Sequence, residues 1–433
     1  VARPPLRVPT FVNYECRLCG WCCHQYDITV SREDKERLSA YDWAALEPEL
    51  SGRELFAAVR GRRHRGDEFR LHYTPEGACA FLSSENTCLM HRHVGELGKP
   101  LGCCVFPLTF ASTPTGVYVG CRFSCMAVAY GMGDPLPRKS RFMERQIDLV
   151  EKAGHLPRYP DIVVIAPGRF LPWDDYIRLE EMAIRIMLRE DIALLHRLLA
   201  LHDIIEVLKR ANFDRLRGER FGELLHILEE GLPAEAGREN PRRRPDPILR
   251  MIFRQFCFLF QNRHGGAYHE LGPVGRLRAR LENLARSLRF TFNMGRVRPA
   301  AFPGEFALAD VATIPPPPLG PNEELAISRF LAAKMFGKQH FGPLFFRYPV
   351  ADGLTFLLLA AGAVLWYARA LALARGTKAP EHRDVIEAIR YVDFCYGFSP
   401  APGLIVERIR VKLLGHGDAA MRLAADQFVR PAA

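Results

Sequence analysis

Apolar positions along the chain change their period near residue 138. Before it they alternate in short runs. Glu68 to Tyr73 alternates as a strand does, and Tyr26 to Val30 reads as β. Leu108 to Phe110 and Val117 to Val119 flank Ser-Thr-Pro-Thr-Gly, a β-hairpin signal of turn residues between β-branched and aromatic flanks. Ser31, followed three residues later by Asp34, predicts a capped short helix. Beyond residue 138 the spacing becomes helical. Arg141 to Ala153 is closed by Gly154 in the position of a C-terminal cap. Asp161 to Ile165 predicts one last short strand before Pro167-Gly168, and everything after Trp173 reads as helix. There, apolar residues recur at three and four through Ile177, Met182, Ile186, Leu194, Leu198, Leu201 and Ile205, then through Phe221, Leu224, Leu225 and Leu228.

One run lacks a polar face. Gly353 to Ala368 is sixteen residues without charge, whereas a membrane span needs about twenty. A helix that short and apolar all round is expected in the middle of a bundle, so no membrane span is predicted. Two interruptions have linker composition: Gly231 to Pro247, with Pro-Arg-Arg-Arg-Pro inside it, and Ile314 to Pro321, with four successive prolines. Both read as loops within one helical domain. The expected fold class is therefore α+β: a small Cys-rich module with short strands and a hairpin over residues 1–137, then a large, mainly helical domain over residues 138–433.

Composition adds bounds. At 48% apolar and 25% charged residues the chain has a globular balance. Its net charge of +10, from 59 basic and 49 acidic side chains, is spread along amphipathic helices, so nucleic acid is not expected as a partner. Arg60 to Arg65 is basic and Gly-flanked, and reads as a solvated loop. The first residues, Val-Ala-Arg-Pro-Pro-Leu-Arg, contain no apolar stretch of signal-peptide length and lack Met, which reads as a trimmed or processed start.

Cysteine changes the picture most. Cys16-Arg-Leu-Cys19-Gly-Trp-Cys22-Cys23 puts four thiols in eight residues, and no packing role asks for that density. Cys79, Cys88, Cys103, Cys104, Cys121 and Cys125 follow, so ten of the twelve cysteines fall between residues 16 and 125. Successive C-x-x-C steps let one loop point three sulfurs at a common centre while a remote thiol supplies the fourth, as in ferredoxin-type iron-sulfur sites. All-cysteine zinc sites use the same spacing for two ligands and separate the pairs by a longer gap. The candidate ligands are Cys16, Cys19, Cys22, Cys23, Cys79, Cys88, Cys103 and Cys125. A 4Fe-4S cluster is the preferred occupant and zinc the alternative. Eight thiols exceed one site, so either some are redox-active or structural, or there are two sites. His24, His91 and His93 lie among the thiols as further possible ligands, and Trp21 is expected to shield the sulfurs. Cys257 and Cys395 sit alone in apolar helical stretches and read as core residues. Reduced, metal-bound thiols suit the cytoplasm better than a secreted disulfide framework.

The ordered set Cys16-x-x-Cys19-Gly-x-Cys22-Cys23, Cys79-Ala-Phe-Leu, Cys88 and Lys99-Pro100-Leu-Gly-Cys103-x-Val-Phe106-Pro107 resembles the CxxCxxCC cysteine-cluster family of zinc- or iron-chelating proteins. The long gap between Cys88 and Cys103 and the helical remainder look most like its flagellin lysine-N-methylase branch. Family members usually carry Arg where this chain has Lys99, and Arg where it has Cys104. The resemblance implies methyl transfer from S-adenosylmethionine to lysines of a protein such as flagellin, with the metal centre taking part. The residues themselves show neither a radical S-adenosylmethionine signature, C-x-x-x-C-x-x-C, nor a Gly-rich methyl-donor loop. A non-catalytic protein that binds, stores or senses zinc or iron is the other reading.

Overall fold

The apolar run lies inside the helix Val350–Arg375, against which several of the other helices pack. Every residue from Gly353 to Ala372 is buried, so protein covers all sides of this helix. Against it pack Leu194–Arg210, His382–Cys395 and Ala419–Asp426. Glycine and alanine make the close approaches possible. A Cβ added at Gly353 would overlap the carbonyl oxygen of His340, and one at Gly362 would sit 3.2 Å from the Cα of Ala424. Within the buried helix, Arg369 donates to the carbonyls of Ile314, at 2.8 Å, and Ala312, at 3.0 Å. This pins the entry to the proline-rich stretch, which leads into the helix Pro321–Phe336.

The computed structural model describes residues 4–59, 67–74, 77–231, 244–261, 272–299, 302–397 and 399–429. The basic run Arg60 to Arg65 and most of the loop from Gly231 to Pro247 lie outside them. The class is α+β, with the longer strands in the N-terminal part and the helices dominating the remainder. The expected hairpin is present: Leu108–Thr113 pairs antiparallel with Gly116–Cys121, with Phe110 opposite Val119, and Leu6–Arg7 adds a short parallel strand. Thr29–Ser31, Asp67–Leu71 and Phe56–Ala58 form a second antiparallel sheet with Asp67–Leu71 in the middle. The Ser31 hydroxyl accepts the N–H of Asp34 at 3.0 Å, capping Arg32–Ser39 as expected.

Two expectations need correcting. Ile162–Ala166 is not a lone strand. It forms a hairpin with Arg169–Pro172 around Pro167-Gly168, where Gly168 adopts φ 72°. Nor is everything after Trp173 helical, since Arg296–Val297 pairs with Phe306–Ala307. Both misses involve strands of two to five residues, too short for alternation to stand out. One helix inverts the usual pattern: along Pro273–Phe292, Val274, Leu277, Leu281, Leu284 and Leu288 are exposed.

Two hydrophobic cores result among the described residues. The larger holds the helices together with the hairpin Leu108–Cys121 and Tyr26. A small one gathers Val30, Leu38, Trp43, Leu50, Leu71, Phe81, Leu89 and Met90. Ile28 touches both.

Candidate metal centre

The four-thiol segment is built as a loop that turns into a short helix. Gly20 takes φ 66° as the residue before Trp21–Gln25, and a Cβ there would press on the Asn86 side chain at 3.1 Å, so glycine serves both the turn and the close approach. Cys16 and Cys19 are exposed on the loop, and Cys22 and Cys23 are half-buried on the helix. The remote thiols arrive on separate elements. The Cys79 N–H donates to the Cys23 carbonyl at 2.8 Å, which ties the Cys79 strand segment directly to the four-thiol segment. Cys88 precedes the helix Leu89–Val94, Cys103 lies in Leu101–Val105, and Cys125 precedes Met126–Ala129.

All eight candidate thiols line one cavity of about 670 Å³. Cys104 and Cys121 do not. Cys104 is buried, its Sγ against the carbonyls of Lys99, at 3.0 Å, and Glu96, at 3.2 Å, while Cys121 is buried in the hairpin. Cys257 and Cys395 are buried in the helical core. Of the histidines, only His91 lines the cavity. His24 is exposed, and His93 is held 2.7 Å from a Glu47 carboxylate oxygen. Trp21 lines the same cavity, wedged edge-on against Phe394 at 5.9 Å with the Arg390 guanidinium 4.6 Å from its ring centre.

At Cys79, Cys103 and Cys125 the electrostatics favour the neutral thiol. Burial pushes Cys79 and Cys125 up to about 12 and raises Cys103 further, with neighbouring thiols adding to the effect. Cys22 and Cys23 have their sulfurs 4.0 Å apart and share a hydrogen bond, which lowers Cys22 and raises Cys23. Sequence reasoning missed the cations. Lys99 lines the cavity, partly offsets the rise that burial imposes on Cys16 and Cys103, and helps to lower Cys22. Its place before Pro100, four residues ahead of Cys103, was the available signal. Arg122, also lining, is half-buried and donates to the Tyr396 carbonyl at 2.8 Å. It lies between Cys121 and Cys125 in the sequence, but its partner is 274 residues away and is met only in the fold.

The donor set fits a thiophilic metal. Clustered soft sulfurs select zinc, iron-sulfur clusters or copper(I) over hard cations. The hydroxyl of Tyr73 is buried on this cavity and has no hydrogen-bond partner among the described residues. A buried donor without an acceptor is costly, and a metal thiolate would supply the acceptor. Among the described residues, no three His, Cys, Asp or Glu side chains already converge at ion-binding distance, so binding would require the walls to draw together.

Residues 15–122 match the CxxCxxCC family model, described as a putative zinc- or iron-chelating domain. Comparison with curated proteins and with solved structures gave no match. The matched segment contains seven of the eight candidate thiols, with Cys125 lying just beyond it.

Proposed function

We propose that the protein is a metalloprotein whose thiol-lined cavity holds an iron-sulfur centre of the 4Fe-4S type, and that it acts as a protein lysine N-methylase. The observation that carries the metal reading is the convergence of eight thiols, from segments up to 109 residues apart, on one cavity whose lining includes the cations Arg17, Lys99, Arg122 and Lys139. When bound, such a centre would supply redox or Lewis-acid chemistry. The chain's own contribution is to compensate thiolate charge through Lys99 and Arg122 and to exclude water with Trp21. The methylase reading rests on the resemblance and on a cavity volume in the range of ligand sites, about 300–1,000 Å³. The transfer would move the S-adenosylmethionine methyl to a lysine Nε, release a proton and leave S-adenosylhomocysteine. A lysine of ordinary pKa about 10.4 must first lose its proton. Exposure of Cys16 and Cys19 at the mouth favours a second reading, a chelator that exchanges its metal with partners.

Anaerobically purified protein is expected to be brown, to contain iron and sulfide, and to bleach with dithionite. Colourless protein with stoichiometric zinc and no iron, even after reconstitution, would replace the cluster with zinc. Methyl transfer to a lysine-rich filament protein, followed with labelled S-adenosylmethionine, separates methylase from chelator. Elemental analysis should also show that Cys19→Ser no longer holds its full metal content. Cys257→Ser should retain it, at the stability cost of a buried hydroxyl, about 1–3 kcal/mol.

A further inference from the structure

We infer that the cavity holds two adjacent thiolate centres, an outer one on Cys16, Cys19, Cys22 and Cys125 and an inner one on Cys23, Cys79, Cys88 and Cys103. The inference rests on the metal-centre reading and divides its ligands. The cavity lies where the two hydrophobic cores meet, and the thiols sort by the core they pack on. Cys22 and Cys125 pack against the large helical core. Cys79 belongs to the small core, and Cys23, Cys88 and Cys103 pack against it. Cys16 and Cys19 extend from the exposed loop that carries Cys22. Cys22 and Cys23 are consecutive on a helix, where neighbours project about 100° apart, so one residue faces each core. Their 4.0 Å sulfur separation makes the two centres neighbours.

The sets differ in character. The outer one takes three thiols from C-x-x-C-x-x-C and a remote fourth, the ligand economy of a cubane cluster, and it opens to solvent. The inner one takes four thiols from four separate segments, none of them exposed. That is the closed pattern of a single tetrahedral ion with a structural role. The inner set also has a donor waiting: Tyr73 bridges to Cys79 as its strand partner, and its hydroxyl is the unpartnered one.

The test is anaerobic titration of reduced, metal-free full-length protein with Co²⁺, whose tetrahedral thiolate complexes absorb in the visible and near ultraviolet. Two equivalents are expected to bind. Cys19→Ser and Cys125→Ser should each halve the count and leave the inner equivalent. Cys88→Ser should halve it and leave the outer one. Tyr73→Phe should keep both but weaken the inner equivalent severalfold. Far-ultraviolet circular dichroism checks that each variant folds. If Cys88→Ser does not fold, the Cys19→Ser and Cys125→Ser variants decide alone. No cobalt-thiolate absorbance at all would overturn the metal reading itself. One equivalent per chain, or loss of both equivalents in Cys19→Ser, would overturn only the division.

Discussion

Gly353→Ala is expected to prevent the helical body from closing, giving protein that is largely insoluble or that melts far below the parent in a thermal scan. The new methyl would point at the backbone carbonyl of His340, and both partners belong to rigid, buried segments. A flexible side chain could turn aside, whereas a helix axis and a backbone turn cannot. Overpacking a core costs about 1–3 kcal/mol when side chains absorb it, and a backbone collision lies at or beyond the upper end. Gly376→Ala provides the contrast. Gly376 ends the same helix with nothing within 4 Å of its Cβ position, so only its left-handed φ of 74° is strained. A penalty of about 1 kcal/mol is expected there. Equal effects of the two substitutions would show that close approach is not what Gly353 provides.

Asp393→Ala is expected to destabilise the protein by about 3–5 kcal/mol, because the buried Lys334 ammonium loses its ion-pair partner. The consequence reaches the metal cavity. Asp393 also accepts the N–H of Ser124 at 2.7 Å, and Arg390 donates to the Ser124 carbonyl at 3.3 Å, so the helix His382–Cys395 holds the backbone beside Cys125 from both sides. Tyr26 joins the same clasp through its hydroxyl, 2.6 Å from that of Ser124, and through ring contact with Phe394 at 4.9 Å. The variant should therefore bind metal more weakly as well as unfold at lower denaturant concentration. Replacing Lys334 by Met together with Asp393 by Leu should recover part of the stability, since both charges are then gone. The orphaned Ser124 N–H should hold the recovery short of complete by about 1–3 kcal/mol. Full recovery would mean that the Ser124 contact contributes nothing.

Much of the candidate site was legible because closely spaced cysteines in a reduced chain have little use besides holding metal. The loop Cys16–Cys23 and its later partners declare a thiophilic centre from local spacing alone, and the three-residue offset from Ser31 to Asp34 declares a helix start. The sixteen-residue apolar run likewise specifies a helix with no solvent face, and the structure buries it on all sides. The short hairpin Ile162–Pro172 was half seen, because its second strand is too brief to show a period.

What the sequence by itself determined is chemistry that follows from neighbours along the chain: thiol density, helix caps, the Leu108–Cys121 turn, and the all-apolar helix. What only the tertiary structure decided depends on distance in space. Cys104 and Cys121 fall outside the candidate ligands by motif pattern alone, and the physical ground for that is packing: both are buried and neither lines the cavity. Arg122 and Ser124 acquire their roles from Tyr396 and Asp393, about 270 residues later. The sorting of the thiols between two cores arises the same way, since burial belongs to the folded surface and local spacing does not encode it.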